Sequence, residues 1–244
     1  MTDYIICTTA RSGSNLLCNV LKNTQALGFP VEAFNPDFMR RSAYREHISD
    51  GKPVSVDQFI DWIRQRHRTR NGIFGTKILH EDFQTFKTFP SFRDLFFSSR
   101  IIHLRRRSKL RQAISYFFAE ETGQWVATDT PRKAVESVEY NYAAIRRHLD
   151  RLVRQDSLWT AVLDSLGIPY EELIFEEFLL DMSGKVARIA AFVGIDGGSL
   201  PIAATLAEQK NSLTAAFIQR FRSDLREHEF RTTGGTTYKD TEFV

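Results

Sequence analysis

The sequence predicts an α/β fold in which a parallel sheet is flanked by helices on both faces. First, the chain of 244 residues is 42% hydrophobic and 26% charged, which supplies enough apolar mass for one large core. Second, its strand-like runs are short, apolar and free of polar alternation, as in strands that are covered on both faces. Third, these runs alternate with amphipathic helical patterns, which is typical of parallel sheets. We therefore expect one domain over residues 1–244.

The N-terminal segment predicts a strand, a small-residue loop and a helix. Residues 4–8 form an apolar run rich in β-formers, so we expect a central strand there. Residues 9–15 are small and polar apart from one arginine. Apolar residues then recur at helical spacing, at Leu17, Val20 and Leu21, which predicts an amphipathic helix.

Strands and helices continue to alternate through the rest of the chain. Ser55 and Gln58 have the spacing of a capping box, and Asn71-Gly72 is a signal for a helix end, so we predict a helix between them. Ser108 is expected to cap a later helix that ends near Gly123. The other predicted elements are strands at residues 73–79, 100–104 and 173–175, one long helix or two stacked helices over residues 135–166, and helices at residues 186–193 and 217–225.

Composition and charge argue against several classes of protein. The formal net charge of +3, from 33 basic and 30 acidic residues, is too small to mark a nucleic-acid binder by charge alone. No stretch approaches the roughly 18 consecutive apolar residues of a membrane span, and the start Met1-Thr2-Asp3 lacks the basic residues of a secretory signal. Cys7 and Cys18 lack metal-ligand spacing. We expect a cytoplasmic protein with reduced cysteines and no metal.

The loop between the first strand and the first helix predicts an anion site. It comprises Arg11, Ser12, Gly13, Ser14 and Asn15. Gly13 lets the backbone approach a ligand closely, and the N–H groups and dipole of the helix start favour a negative charge. The loop lacks the first glycine and the lysine of a nucleoside-triphosphate loop, so the anion should be shorter and bound without a metal. The alternative is a connector that only caps the helix.

A second basic cluster follows the strand at residues 100–104. Arg105, Arg106 and Arg107 precede a helix N-terminus, where guanidinium groups and the helix dipole act on the same spot. A polar stripe continues along that helix at Ser108, Arg111, Gln112 and Ser115. The pattern predicts another phosphate site, with a solvated basic helix end as the alternative. Because loops after neighbouring parallel strands meet at one edge of a sheet, the two sites indicate a nucleotide with separated phosphates.

Six short motifs give the sequence a resemblance to a known family. They are TARSGSNLL near the N-terminus, GFPVEAF at residues 28–34, GTKIL at 75–79, HLRR at 103–106, QAIS at 112–115 and TGQW at 122–125. In order and content they resemble the bacterial trehalose 2-sulfotransferase family, over most of the chain from about Tyr4 to Arg222. The resemblance implies a P-loop-like sheet of the sulfotransferase type. It also implies metal-free, in-line transfer of a sulfuryl group from 3′-phosphoadenosine 5′-phosphosulfate (PAPS) to a hydroxyl of a carbohydrate or glycolipid.

The resemblance also assigns residues to the nucleotide. It implies that residues 11–15 bind the 5′-phosphosulfate, with Asn15 at the position where relatives commonly have threonine. It further implies that Arg106 and Ser115 bind the 3′-phosphate. Lys210 falls where the wider superfamily closes a basic loop over the nucleotide.

Four residues are candidates for the chemistry. In the resembled family the glutamate of the G-x-P-x-E segment is the general base, which is Glu32 here. Lys77 lies on a predicted buried strand end, so we expect its ammonium, with Arg11, to offset charge on the transferring sulfuryl group; the alternative is a lysine that reaches solvent. His80 is the competing base, because animal cytosolic sulfotransferases use a histidine near a comparable lysine, although the spacing here is one residue longer.

The acceptor site is expected to include Gln124 and Trp125, where relatives contact the sugar, since an indole face stacks well on a pyranose ring. Core packing is the alternative for this tryptophan. Loops at residues 35–52 and 124–132 shape the pocket, and trehalose, another glycan and a glycolipid head group all fit it. The apolar stripe that begins at Val135 serves either a homodimer, which the resemblance implies, or a core within one chain.

Two other functions fit parts of the pattern. A kinase-like phosphotransferase on the same sheet is disfavoured by the missing Walker lysine. A non-enzymatic protein that binds nucleic acid through its arginine clusters predicts affinity that falls steeply with salt.

Overall fold

A computed structural model describes residues 2–41, 55–126, 128–196, 200–204 and 213–230. Its centre is a sheet of four parallel strands in the order β2-β1-β3-β4. The strands are β1 (Asp3–Thr8), β2 (Phe74–Leu79), β3 (Arg100–Arg105) and β4 (Tyr170–Ile174). The predicted parallel α/β architecture is confirmed.

Ten α-helices connect and cover the strands in the described part of the chain. They are α1 (Ser14–Asn23), α2 (Pro36–Arg41), α3 (Val56–Arg66), α4 (His80–Phe86), α5 (Pro90–Ser98), α6 (Lys109–Thr122), α7 (Tyr142–Ser165), α8 (Phe175–Leu180), α9 (Met182–Phe192) and α10 (Leu213–Glu229), with a 3₁₀ turn at Val135–Ser137. The prediction missed α2, α4, α5 and α8, because six to nine residues are too few to display a helical period. Among the described residues, no helix is long and apolar enough to cross a membrane.

Two apolar cores lie on opposite faces of the sheet. On one face Ile6 of β1 belongs to a cluster with α1, α8 and α9, represented by Leu17 and Phe178. On the other face Ile5 belongs to a cluster with α3, α4, α5 and α7, represented by Phe59 and Trp159. Because β1 is buried on both faces, its sequence carries no polar alternation. Cys7 and Cys18 are buried, unpaired thiols in these cores, as predicted.

The apolar stripe of α7 is used inside the chain. Ile145 and Leu152 pack with α6 and α10 in a third cluster, while Trp159 and Leu163 join the cluster beside β1. The stripe predicted as a candidate dimer contact is therefore covered by this chain's own helices. Asp156 interrupts it because its buried carboxylate pairs with basic side chains.

Several predicted boundaries are wrong. Helix α3 begins after the predicted capping box at Ser55 but ends at Arg66, not at Asn71-Gly72. Arg68 already bridges back to Phe74, so Gly72, with φ of 88°, lies in the turn that leads into β2. The last strand ends at Ile174, since the next residue begins α8.

Candidate active site

The ends of three strands bring the predicted site segments to one edge of the sheet. Thr8, the last residue of β1, is in register with Leu79, the last residue of β2. On the other side of β1, Cys7 is in register with His103 of β3. The loops that follow these strands therefore open on the same edge, which is where open α/β sheets bind ligands.

The first loop has the backbone of an anion site. Gly13 is the N-cap of α1 with φ of 91°, and as a glycine it has no side chain that could cap the helix start. The first N–H groups of α1 are thus available to an anion. A Cβ on Gly13 would lie 2.1 Å from the Phe175 ring, so both the conformation and the packing require glycine. Arg11 is also left-handed, with φ of 59°.

Buried hydrogen bonds fix this loop from below. Gln112 of α6 donates from Nε2 to Thr9 Oγ1 at 2.8 Å and to the Ala10 carbonyl at 2.7 Å. Ser12 is fully buried, and its hydroxyl lies 2.7 Å from Thr8 Oγ1. Ser12 therefore anchors the loop. The sequence placed Gln112 on a polar stripe but gave no signal that its amide reaches the loop.

Arg11 connects the loop to the other predicted subsites. Its Nε donates to Ser115 Oγ at 3.0 Å, and its Nη1 donates to the Trp125 carbonyl. In turn Arg106 Nη1 donates to the Arg11 carbonyl at 3.0 Å. Burial lowers the pKa of Arg11 to about 10, and the charge of Arg106 acts in the same direction. The structure thus gathers Arg11, Arg106 and Ser115 in one cationic corner.

The three consecutive arginines do not act as one cluster. Arg105 pairs with Asp156 and Glu172, both at 2.8 Å. Arg107 pairs with Glu177 at 2.7 Å and is largely exposed. Of the three, Arg106 contacts the first loop, through its bond to the Arg11 carbonyl, and its guanidinium lies 5.4 Å above the ring centroid of Phe175. Carboxylates from α7 and the β4–α8 segment thus pair with Arg105 and Arg107, while Arg106, to which the resemblance assigns the 3′-phosphate, lies 4.0 Å from Glu176.

A carboxylate also occupies the start of α6. Glu176 accepts hydrogen bonds from the N–H groups of Arg107 at 2.8 Å and Ser108 at 3.1 Å. Burial opposes its negative charge, yet these N–H groups lower the pKa of Glu176 overall. Ser108 is the N-cap residue, but its side chain makes no capping bond, so that prediction is wrong.

A buried lysine joins the first loop to the predicted base. Lys77 Nζ lies 2.6 Å from Glu32 Oε2 and donates to Asn15 Oδ1 at 2.7 Å. Lys77 is 3% exposed, so these two oxygens offset a buried charge. Glu32 Oε1 accepts a hydrogen bond from Asn35 Nδ2 at 2.7 Å, a partner that the sequence did not reveal.

The backbone of β2 positions Glu32. Lys77 N–H donates to the Val31 carbonyl at 2.9 Å, and Thr76 Oγ1 donates to the same oxygen at 3.1 Å. At Gly28, with φ of 71°, a Cβ would lie 2.7 Å from the Gly75 nitrogen, so only glycine permits this close approach. Glu32 is therefore held beside the C-terminal end of β2.

Two buried titratable groups, His80 and Asp82, follow β2. His80 is buried with its ring edge-on to Trp159 at 5.6 Å and its Nε2 3.2 Å from the Gln84 amide nitrogen; burial lowers its pKa. Asp82, which the sequence did not single out, has a buried Oδ2 without a hydrogen-bond partner among the described residues. Burial, then the charges of Glu32 and Glu81, raise the pKa of Asp82 to about 7.

The predicted acceptor residues lie next to Arg11. The Trp125 side chain is 39% exposed and stands edge-on to Tyr116, with ring centroids 5.2 Å apart. Gln124 precedes it in the same loop and donates to the Asp129 carbonyl at 3.1 Å. Lys210 lies outside the described residues, as do residues 42–52 of the predicted 35–52 loop.

Comparisons with known proteins agree with one another. A family model described as Stf0 sulphotransferase matches residues 3–224. The protein named trehalose 2-sulfotransferase from Mycobacterium tuberculosis is 24% identical over 254 residues, covering 91% of this chain and 94% of that protein. Its namesake from Mycolicibacterium smegmatis is 25% identical over 256 residues, covering 91% and 95%. The crystal structure of a sulfotransferase from Alicyclobacillus acidocaldarius has a TM-score of 0.50 at 20% identity, covering 92% of this chain and 93% of that chain, and shares the fold.

Proposed function

The chain belongs to the Stf0 sulphotransferase family and is a sulfotransferase, and we propose that it moves the sulfuryl group of PAPS to a carbohydrate hydroxyl by in-line displacement. One observation carries the proposal. The Lys77 ammonium contacts both Asn15, in the loop suited to the donor, and Glu32, the candidate base. This contact supports the proposal, because the candidate groups for charge stabilisation and proton removal lie side by side at the strand ends.

The first loop suits the 5′-phosphosulfate. The start of α1 offers N–H groups. Arg11 adds a guanidinium whose pKa is lowered by burial, and a bound anion would stabilise the charged form of that guanidinium. Ser12, Gly13 and Ser14 shape the loop, and Ser12 does so from a buried position. Lys77 and Arg11 then stabilise the charge that moves to the bridging oxygen as the sulfuryl group departs.

Arg106 and Ser115 suit the 3′-phosphate. Both contact Arg11 of the first loop, through its carbonyl and its Nε respectively, so a phosphate bound by them would lie beside that loop. Lys210 stays a prediction for the same nucleotide. The residues need no metal for these roles, because guanidinium, ammonium and N–H groups offset the negative charge.

Glu32 is proposed as the general base. The acceptor oxygen forms a bond to sulfur, the bond from sulfur to the phosphate oxygen breaks, and the hydroxyl proton passes to the Glu32 carboxylate, leaving 3′-phosphoadenosine 5′-phosphate (PAP). Such proton transfer contributes about 10²–10⁴-fold to the rate. His80 is the weaker candidate, since it contacts Gln84 and Trp159, whereas Glu32 contacts Lys77.

Trehalose is the first acceptor to test, because two relatives carry it in their names. Gln124 and Trp125 are proposed to contact the sugar. Another glycan and a glycolipid head group are the alternative acceptors. Three further expectations stay predictions: the homodimer, the cytoplasmic location and the single domain over residues 1–244. Neutralised arginines around Arg106 disfavour the nucleic-acid-binding alternative.

The test is transfer of labelled sulfate from PAPS to trehalose and to a panel of other sugars and glycolipids. We expect turnover with at least one of them, and PAP should raise the melting temperature. Stabilisation by ATP with Mg²⁺ but not by PAP would favour a phosphotransferase instead.

Replacement of Glu32 by Gln tests the base. Turnover should fall by about 10²–10⁴-fold, because the amide cannot accept the hydroxyl proton. Affinity for PAP, measured by calorimetry, should stay within about twofold of the wild type. Glu81→Gln is the matched control, since Glu81 follows the same strand but pairs with Arg151. An equal loss of turnover and PAP affinity in Glu32→Gln would exclude the role of base.

A further inference from the structure

One carboxylate organises the loop that carries Gln124 and Trp125. Asp129 Oδ2 accepts hydrogen bonds from the N–H groups of Trp125 at 3.0 Å and Val126 at 2.9 Å. The Asp129 N–H donates to the Val126 carbonyl at 3.0 Å, and its carbonyl accepts from Gln124 Nε2 at 3.1 Å. A single residue thus fixes three consecutive residues of the loop.

Arg11, from the loop proposed to bind the sulfuryl donor, also contacts this loop. Arg11 Nη1 donates to the Trp125 carbonyl, so the peptide groups on either side of Trp125 are bound by Asp129 and by Arg11. The charge of Asp129 raises the pKa of Arg11 against the effect of burial, so the two side chains also attract each other. At the base of the loop, Arg132 N–H donates to the Thr122 carbonyl at 2.7 Å.

An exposed tryptophan needs such support to bind a ligand. The Trp125 ring makes an edge contact with Tyr116 and keeps 39% of its surface exposed, so its direction depends on the backbone beneath it. Groups that bind a substrate are effective only when the supporting contacts hold their geometry. Asp129 supplies those contacts without being a candidate for the reaction itself.

We propose that Asp129 is a positioning residue of the acceptor site, which orients Trp125 and Gln124 toward a sugar ring through its bonds to the loop N–H groups. This inference rests on the proposed function. Asp129 acts through the loop backbone, so it affects the acceptor more than the nucleotide.

The test compares three variants with the wild type, using PAPS as donor and, as acceptor, trehalose or the most active sugar of the panel. Asp129→Ala removes both hydrogen bonds and should raise the KM for the acceptor about tenfold or more. Asp129→Asn keeps an oxygen acceptor, so its KM should stay within about threefold of the wild type. Asp181→Ala is the control, because Asp181 makes a similar bond to Gly184 N–H at the start of α9.

A second readout reports on the loop itself. Amide hydrogen exchange at Trp125 and Val126 should accelerate in Asp129→Ala and stay close to the wild type in Asp129→Asn. PAP affinity should change by less than about threefold in both. An unchanged acceptor KM in Asp129→Ala, or equal losses of acceptor and PAP affinity, overturns the inference. Absence of turnover by the wild type with every sugar refutes the carbohydrate proposal instead, and the two failures are thereby distinguished.

Discussion

At the scale of single residues, the site depends on a few buried charges that find partners far away in sequence. Lys77 is almost completely buried, and an ammonium in that position is costly unless oxygens surround it. Asn15 and Glu32 provide those oxygens from two different loops. Asn15, at the position where the resembled family commonly has threonine, thus accepts a hydrogen bond from Lys77 through its side-chain oxygen.

Asp82 gives a prediction for pH dependence. Its pKa is raised from 3.8 to about 7, so the folded protein holds a proton that the unfolded chain has lost between these pH values. The free energy of unfolding should therefore fall as pH rises from about 4 to about 7. Asp82→Asn cannot ionise and should lose this slope.

The measurement is the melting temperature of both proteins between pH 4 and pH 8. The difference between Asp82→Asn and the wild type should grow in favour of the variant as pH rises and then level off above about pH 7. Asp94→Asn serves as the control, because Asp94 is an exposed carboxyl on α5. A constant difference across the range would contradict the assignment.

At the scale of elements, the start of α6 shows how a helix can be capped by a distant segment. The sequence offers Ser108 as the cap, yet the carboxylate at this helix start belongs to Glu176 of α8, which accepts from the N–H groups of Arg107 and of Ser108, the N-cap residue. A charged acceptor at a helix N-terminus interacts with the helix dipole as well as with the N–H groups, and this favours it over a neutral hydroxyl. The contact also fixes the segment that carries Arg106.

Replacing Glu176 by Ala should therefore lower the free energy of unfolding by about 1–2 kcal/mol, the usual effect of losing a helix cap. Urea denaturation measures it. Glu177→Ala is the control, because Glu177 is adjacent but pairs with the side chains of Arg107 and Lys185 and not with the N–H groups before α6. Equal destabilisation by the two variants would show that Glu176 is not the cap.

At the scale of the whole molecule, the parallel sheet sets the distances between the parts of the site. Adjacent strands end level with one another, so Arg11, Arg106 and Lys77 arrive at one edge although they leave three different strands. The two faces of the sheet are buried under separate cores, which leaves this edge for ligands.

This arrangement predicts different roles for neighbouring arginines. Arg106→Ala should weaken PAP about tenfold or more while changing the affinity for AMP, which lacks the 3′-phosphate, much less, because a charge-assisted contact is lost only with PAP. Arg107→Ala should leave both affinities nearly unchanged, since Arg107 is exposed and pairs with Glu177. Calorimetric titration of each variant with PAP and with AMP measures these affinities. Equal effects of the two substitutions would mean that the nucleotide senses net charge and not the position of Arg106.

Much of the fold and part of the site were predictable from local sequence. Apolar periodicity over a few neighbouring residues predicts the strands and the long helix, and the run of small residues predicts the loop at Gly13. The short helices and the end of α3 were not, because their limits depend on contacts with distant strands. Likewise, nothing local distinguishes Arg106 from the arginines on either side of it.

Local patterns were enough to assign the α/β class and the order of the central elements, and the family resemblance added Arg106 and Glu32 to the candidates Arg11 and Lys77. The packing of the folded chain set which charged side chains pair with one another. Arg11 meets Ser115 across 104 residues and Lys77 meets Asn15 across 62, whereas periodicity and capping signals act over a few residues. Burial makes such long-range pairing necessary, because an ion removed from water must find its partner wherever the packing places one.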